Sequence, residues 1–394
     1  MKKRLAAFAA ALVVLGSLTA CGDDGGTAGN GQTIPIGFVS TRSGLYSTYG
    51  IPVYNSSRLA VEQLNDAGGV TVNGQKYTFT LEECETRSED TGAASCANEL
   101  VKDKGVKIVF GGIATEAPVI MRVTDPSKTI FFSAAGAAAA YLKETNYMIA
   151  TLGTNEWRGE AEMLGIRQMY PDAETVGIVG INDASWQGIE EYLEAGADKH
   201  GLEIVDKALV QTGTTDFSSA LTSLKSANPD VLFMFSSGGE VTSQVIKAAN
   251  ELDVAPVMFG HAASCAEAKA AGIETPFVGN TFIGANMEAP TDPKVKQLIE
   301  DYQEFTKSDD IENAYALLWN YDYFFMLADA IEAAGTTTDT DKIMDHLHDL
   351  TYEGVEGTIT VDENNGGIFG FEMCELAKGA SSAIEYERVE PPKP

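Results

Sequence analysis

The sequence predicts an α/β protein built as two doubly wound lobes with parallel sheets. Short apolar runs alternate with amphipathic stretches along most of the chain, the rhythm of successive strand–helix units. That rhythm runs to about residue 150, breaks near 150–155 and restarts at 175, which implies two lobes. The 394 residues, 44% apolar and 21% charged, leave ample chain for two cores.

Each element has its own reason. A first strand is predicted over residues 34–39, a short apolar run. Residues 49–65 carry Ala60, Val61 and Leu64 at helical spacing, and Gly68 and Gly69 stop the helix. Residues 77–83 alternate like a strand. Ser88, followed by Glu89 and Asp90, starts a predicted helix with Ala97, Leu100 and Val101 inward. Strands are expected at 106–110 and 129–132, ending in Gly111-Gly112 and in residues 133–136. After the break, strands at 175–179, 203–210, 231–235 and 256–259 alternate with helices at 186–199, 216–227 and 241–252. The tail reads as helices over 293–305, 314–334 and 341–350, then strands over 358–361 and near 370–376. These segments must cover one lobe and return to the other.

Composition excludes some partners. Lys and Arg total 27 against 57 Asp and Glu, a formal charge of −30, and a field of that sign repels nucleic-acid phosphates. The start reads as an address. Lys2, Lys3 and Arg4 precede an Ala- and Leu-rich run to Leu18, too short for a membrane span and fitting a signal peptide over 1–20. Leu18-Thr19-Ala20-Cys21 resembles a bacterial lipobox, in which Cys21 would carry the lipid; the alternative is an ordinary signal peptide with an incidental Cys. Residues 21–33, rich in Gly, Asp and Asn, would be a flexible tether. The expected place is the extracytoplasmic face of the cell membrane, lipid-anchored.

An exported setting favours disulfides. Cys84 ends a strand-like run and Cys96 lies two turns into the next helix, so a Cys84–Cys96 bridge is expected. Cys265 and Cys374 are the leftover pair, with free buried thiols as the alternative. No C-x-x-C, G-x-S-x-G, H-E-x-x-H, Walker A or properly placed G-x-G-x-x-G occurs. His346 and His348 stand two apart on a predicted helix and face different directions. No enzyme, cofactor or metal site is expected. Parallel lobes still offer the crevice beyond the carboxyl ends of their strands. Here those ends are residues 40–49, 111–116, 133–137, 182–186, 236–240 and 260–264, rich in small residues that let backbone groups approach a ligand.

With these segments in order, the chain resembles the leucine/isoleucine/valine-binding protein family, the solute-binding proteins of ABC importers. The resemblance rests on Ile36 to Ser40, Ser43-Gly44, Tyr49-Gly50, Ala60 to Gly69, Cys84, Leu100-Val101, Phe132 to Ala135, Asp183, Trp186 to Gly188, Asp216-Phe217 and Pro229 to Val231. It implies a type I periplasmic-binding fold, two Rossmann-like lobes joined by a three-crossing hinge. Residues 34–152 and 282–355 would form the first lobe, and 153–281 and 356–394 the second. The implied function is capture of an amino acid or related small polar or organic compound, closure of a monomer around it, and delivery to a membrane permease. A ligand-sensing receptor using the same fold is the alternative.

The resemblance also carries over site residues. Thr115 and the segment Ser133, Ala134, Ala135 and Gly136 correspond to positions that hold a ligand carboxylate and ammonium, with Tyr49 and Trp186 as aromatic walls. The amino-acid binders place an acid in the loop matching residues 260–264, where this chain has His261 and no carboxylate. The stretch that usually offers a Tyr is Ser236 to Gly239, and Gly238 there would leave room for a bulkier or flatter ligand. Glu116 either replaces the missing acid or stabilises its own helix start. Glu240 and Trp157 are further candidates, Trp157 at the rim.

Overall fold

In the computed structural model, two parallel sheets stand in separate layers, each with helices on both faces. The structure describes residues 32–44, 46–113, 116–134, 145–182, 184–211, 213–235, 240–261, 263–287, 289–311, 313–377 and 383–391. The signal segment, Cys21, Thr115, Ala135, Gly136 and Gly238 lie outside the described residues.

The first sheet contains β1 (Gln32–Ser40), β2 (Val70–Val72), β3 (Gln75–Glu85), β4 (Ile108–Gly111), β5 (Ile130–Ser133) and β6 (Met148–Ala150), in the order β2-β3-β1-β4-β5-β6. All neighbours are parallel except β2 with β3, a hairpin whose turn is Asn73-Gly74. Both turn residues have positive φ, 51° and 82°, as a tight two-residue hairpin requires. Alternate side chains go to opposite faces. Phe38, Phe110 and Phe132 pack under α1 (Ser47–Asp66) and the tail helices, while Val39, Val109 and Phe131 pack under α2 (Asp90–Asn98) and α3 (Glu116–Thr124).

The second sheet contains β7 (Thr175–Ile181), β8 (Glu203–Val210), β9 (Val231–Phe235), β10 (Val257–His261), β11 (Phe277–Asn280), β15 (Phe371–Leu376) and β16 (Glu385–Val389). Its order is β16-β15-β11-β10-β9-β7-β8, parallel from β8 to β11 and antiparallel at β15 and β16. One face lies under α4 (Asn155–Met169) and α5 (Ala184–Lys199). The other lies under α6 (Ser218–Ala227), α7 (Glu240–Leu252) and α8 (Cys265–Ala270). Disulfides join Cys84 to Cys96, 12 residues apart, and Cys265 to Cys374, 109 apart.

Several elements differ from the sequence expectation. Strands β2, β6, β11 and β16 are short or polar and gave no usable period. Ser88 is not a helix cap. Its φ is positive, and its hydroxyl donates to the Ser43 carbonyl at 2.7 Å and accepts from the Tyr46 amide, tying down the loop after β1; helix α2 starts at Asp90. Helix α4 was not predicted, because Arg158, Gly159, Glu162 and Gly165 interrupt its buried side. A Cβ at Gly165 would lie 2.4 Å from Met373 Sδ, so a larger residue there would push the Met373 side chain aside.

The chain passes between the sheets three times: after Ala150, after Asn280, and through residues 350–371. The last passage carries a small antiparallel sheet of β12 (Tyr352–Glu353), β13 (Thr358–Val361) and β14 (Gly367–Ile368). The passages are stitched together. The Ala150 amide donates to the Asn365 carbonyl (2.9 Å), and the Glu372 amide donates to the Ile283 carbonyl (2.8 Å). Arg388 donates to the carbonyls of Gly284 and Glu356. The tail helices α9 (Pro293–Thr306), α10 (Leu318–Ala334) and α11 (Thr340–Asp349) return to the first sheet.

Candidate functional site

The first lobe's strand ends are held by two carboxylates. Glu85, at the end of β3, accepts from the Ser40 hydroxyl (3.0 Å), the Arg42 and Ser43 amides (3.0 and 3.1 Å) and the Ser43 hydroxyl (3.1 Å). Burial alone would raise its pKa, but the bonds from Ser40, Arg42 and Ser43 bring it below the usual value. Glu116 opens α3 and is only 1% exposed. Its Oε2 accepts from the Thr41 hydroxyl and the Ile113 amide, both at 2.9 Å, and its Oε1 from the Thr86 hydroxyl. Burial raises its pKa, and the Thr86, Ile113 and Thr41 bonds oppose the rise. Glu116 therefore knits the ends of β1, β3 and β4 together, with both oxygens occupied inside the first lobe. Ser133 is fully buried and donates to the Gly112 carbonyl (2.9 Å), and Ala134 is buried beside it. Tyr49 is half-buried and stacks on Trp319, with ring centroids 5.5 Å apart and planes at 18°. Tyr315 completes that aromatic group, 6.3 Å from Tyr49.

The second lobe's strand ends carry rings and a charged set. Trp186, in the first turn of α5, is 1% exposed and meets Phe235 edge-on at 5.4 Å. Phe235 ends β9 and His261 ends β10, with centroids 4.2 Å apart. His261 also lies 4.6 Å from Phe282, and the Arg158 guanidinium sits 4.0 Å over the Phe282 ring. Nδ1 of His261 is 2.7 Å from Glu162 Oε1. So the structure connects Trp186 and His261 through Phe235, while Tyr49, Glu116, Ser133 and Ala134 belong to the facing lobe.

Trp157 is not at the rim. It is buried, stacks on Phe371 at 5.8 Å and donates from Nε1 to the Phe369 carbonyl at 2.8 Å, bracing the third passage. Sequence reasoning missed Arg158, Glu162, Phe235, Phe282 and Trp319. The one available signal was the four-residue spacing of Arg158 and Glu162, which puts both on one helix face, but it needs α4 to be recognised first. Among the described residues, no group of His, Cys, Asp and Glu could hold a metal ion, and no helix is long and apolar enough to cross a membrane.

Two α/β lobes on three passages, with the strand ends of each lobe forming a wall, define a binding protein of the hinged type. The chain matches the periplasmic binding protein family over residues 33–373 and belongs to it. It is 26% identical over 343 residues to the Leu/Ile/Val-binding protein homolog 3 of Brucella melitensis, covering 84% of this chain and 87% of the relative. It is 24% identical over 375 residues to the leucine-, isoleucine-, valine-, threonine- and alanine-binding protein of Pseudomonas aeruginosa, covering 89% and 91%. In fold it is similar to the leucine binding protein LivK of Thermotoga maritima, with a TM-score of 0.72, 20% identity, and coverage of 91% of this chain and 99% of that one. It is also similar to an R. palustris ABC-transporter solute binding protein in complex with benzoate, with a TM-score of 0.69, 15% identity, and coverage of 91% and 98%. Homologues of this kind are solute-binding proteins of ABC transporters, which are not enzymes.

Proposed function

We propose that this chain is the extracytoplasmic solute-binding subunit of an ABC importer. It captures an amino acid or a related small organic compound between its lobes and delivers it to a membrane permease. It acts as a monomer on a lipid anchor at Cys21, with residues 34–152 and 282–355 as one lobe and 153–281 and 356–394 as the other. The observation that carries this reading is the pairing of two walls on a three-passage hinge: hydroxyl and backbone groups in the first lobe, rings and basic side chains in the second. A solute that touches both walls only in the closed form adds its contact free energy to that form alone, so binding and closure are one equilibrium.

Relatives are named for leucine, isoleucine and valine, and one neighbour in fold was solved with benzoate, so both chemistries belong in the test. A thermal-shift screen of the purified protein against amino acids, amides and small organic acids is expected to show one class raising the melting temperature. At a hundred times its Kd, a ligand specific to the folded state adds about 2.7 kcal/mol. A folded protein that no member of a broad panel stabilises would contradict this function.

A further inference from the structure

A cavity of about 260 Å³ lies where the second sheet, the second passage and the stretch leading into α10 meet. The sheet contributes Glu372 of β15, and the second passage contributes Ile283 and Met287, both buried. The stretch before α10 contributes Ile311 and Asn313. The Asn313 side chain donates to the Thr48 carbonyl of α1 at 3.1 Å, which ties that part of the lining to the first lobe. The cavity is therefore lined from both sides of the hinge.

Glu372 is out of keeping with the apolar groups around it. It is half-buried, and its amide donates to the Ile283 carbonyl at 2.8 Å, so the backbone fixes its place beside the second passage. Arg388 stands opposite it in the ladder of β15 and β16. Each of the three guanidinium nitrogens already has a partner, though: Nε meets Glu390, and the other two donate to the carbonyls of Gly284 and Glu356. Among the described residues, nothing donates a hydrogen bond to the Glu372 carboxylate. Burial raises its pKa, Arg388 pulls it down, and Glu390 raises it further.

A carboxylate partly withdrawn from water and left without donors is costly, and the cavity beside it has room for the missing partner. The complement is a cation that brings its own N–H donors. A metal ion needs several hard ligands, and among the described residues no group of His, Cys, Asp and Glu could hold one, so an organic cation fits better. Ile283, Met287 and Ile311 offer its body an apolar surface. A carboxylate on the same ligand would meet like charge at Glu372 and Glu390.

We propose that this cavity is a second binding site, for a small organic ammonium ion with a compact apolar body and no carboxylate, and that Glu372 is its counter-ion.

The experiment is calorimetric titration of the purified protein at neutral pH with isoamylamine, isoamyl alcohol and isovalerate. The three share a branched apolar body and differ in charge: cation, neutral and anion. Isoamylamine is expected to bind about tenfold tighter than the alcohol, and isovalerate most weakly. Glu372→Gln should bring the amine-to-alcohol ratio close to one, a readout that lost packing alone would not move. Glu387→Gln makes the same charge change at an exposed residue of β16 and should leave the ratio as it is. Ile311→Trp, at a half-buried residue of the lining, fills the cavity and should abolish binding of amine and alcohol alike.

The melting temperature of each free variant shows whether it is folded. If no probe binds, or the amine has no advantage over the alcohol, the inference is overturned. It is also overturned if the advantage survives in folded Glu372→Gln, or falls equally in Glu387→Gln. Should Glu372→Gln fail to fold, Ile311→Trp decides: amine binding that persists in that folded variant overturns the site, and its loss supports it. None of these outcomes touches the solute-binding reading, which the thermal-shift panel judges separately.

Discussion

Replacing Cys265 and Cys374 together by serine is expected to destabilise the protein by about 5 kcal/mol, against about 3 kcal/mol for the same change at Cys84 and Cys96. The difference comes from the unfolded chain. The first bridge closes a loop with a sequence separation of 109 residues and the second one of only 12, and the lost loop entropy grows with the logarithm of that length. Packing adds in the same direction. Cys265 and Cys374 are both buried in the core between the second sheet and α8. A Cβ at Gly279 would lie 2.8 Å from Cys374 Sγ, so the bridge fills space that the sheet leaves for it. Urea unfolding of the oxidised protein and the two double variants measures both losses. Equal losses, or a larger one at Cys84 and Cys96, would contradict the chain-entropy reading.

Stability should also carry a pH signature from Asp322. This residue is buried in α10 and accepts from the amides of Val355 (3.0 Å) and Glu356 (2.9 Å), so it fastens the third passage to the first lobe. Contact is tight enough that a Cβ at Gly354 would lie 2.3 Å from its Oδ2. Burial pushes the Asp322 carboxyl from 3.8 up to about 6, against the pull of the Glu356 and Val355 amides and of Lys294. Glu356 is raised well above its usual value, first by burial and then by Asp322.

A carboxyl whose pKa is higher in the folded than in the unfolded state holds its proton more tightly when folded. Its contribution is fully present below pH 3.8 and is lost as pH rises through about 6. The size is about 3 kcal/mol. Asparagine cannot titrate, so the stability difference between wild type and Asp322→Asn should fall from pH 4 to pH 7 by about that amount. Taking the difference cancels the acids that do not interact with Asp322, which leaves its coupled neighbour Glu356 as part of the signal. A difference that stays flat over that window would contradict the assignment.

The doubly wound architecture was legible because its central strands are buried on both sides and read as uninterrupted apolar runs. Strands β8, β9 and β13 match the sequence reading to the residue. Helix α4 was illegible for the opposite reason: its inward side carries Arg158 and Glu162 among glycines, so no apolar stripe marks it. Missing that helix hid the charged layer of the second lobe. Ser88 carried a cap residue's chemistry but spends its hydroxyl on Ser43 and Tyr46, partners that no local pattern reveals. The walls show the same limit. Strand ends could be named from sequence, but the bond from Thr41 to Glu116 spans 75 positions and that between Glu162 and His261 spans 99. Only the folded sheets bring such residues within reach.

Small-angle X-ray scattering, with and without a solute shown by calorimetry to saturate the protein, reads lobe closure itself. The radius of gyration should fall when the solute is bound, because only the closed form gains contacts from both walls. Superimposable curves at full saturation would mean that binding does not draw the lobes together.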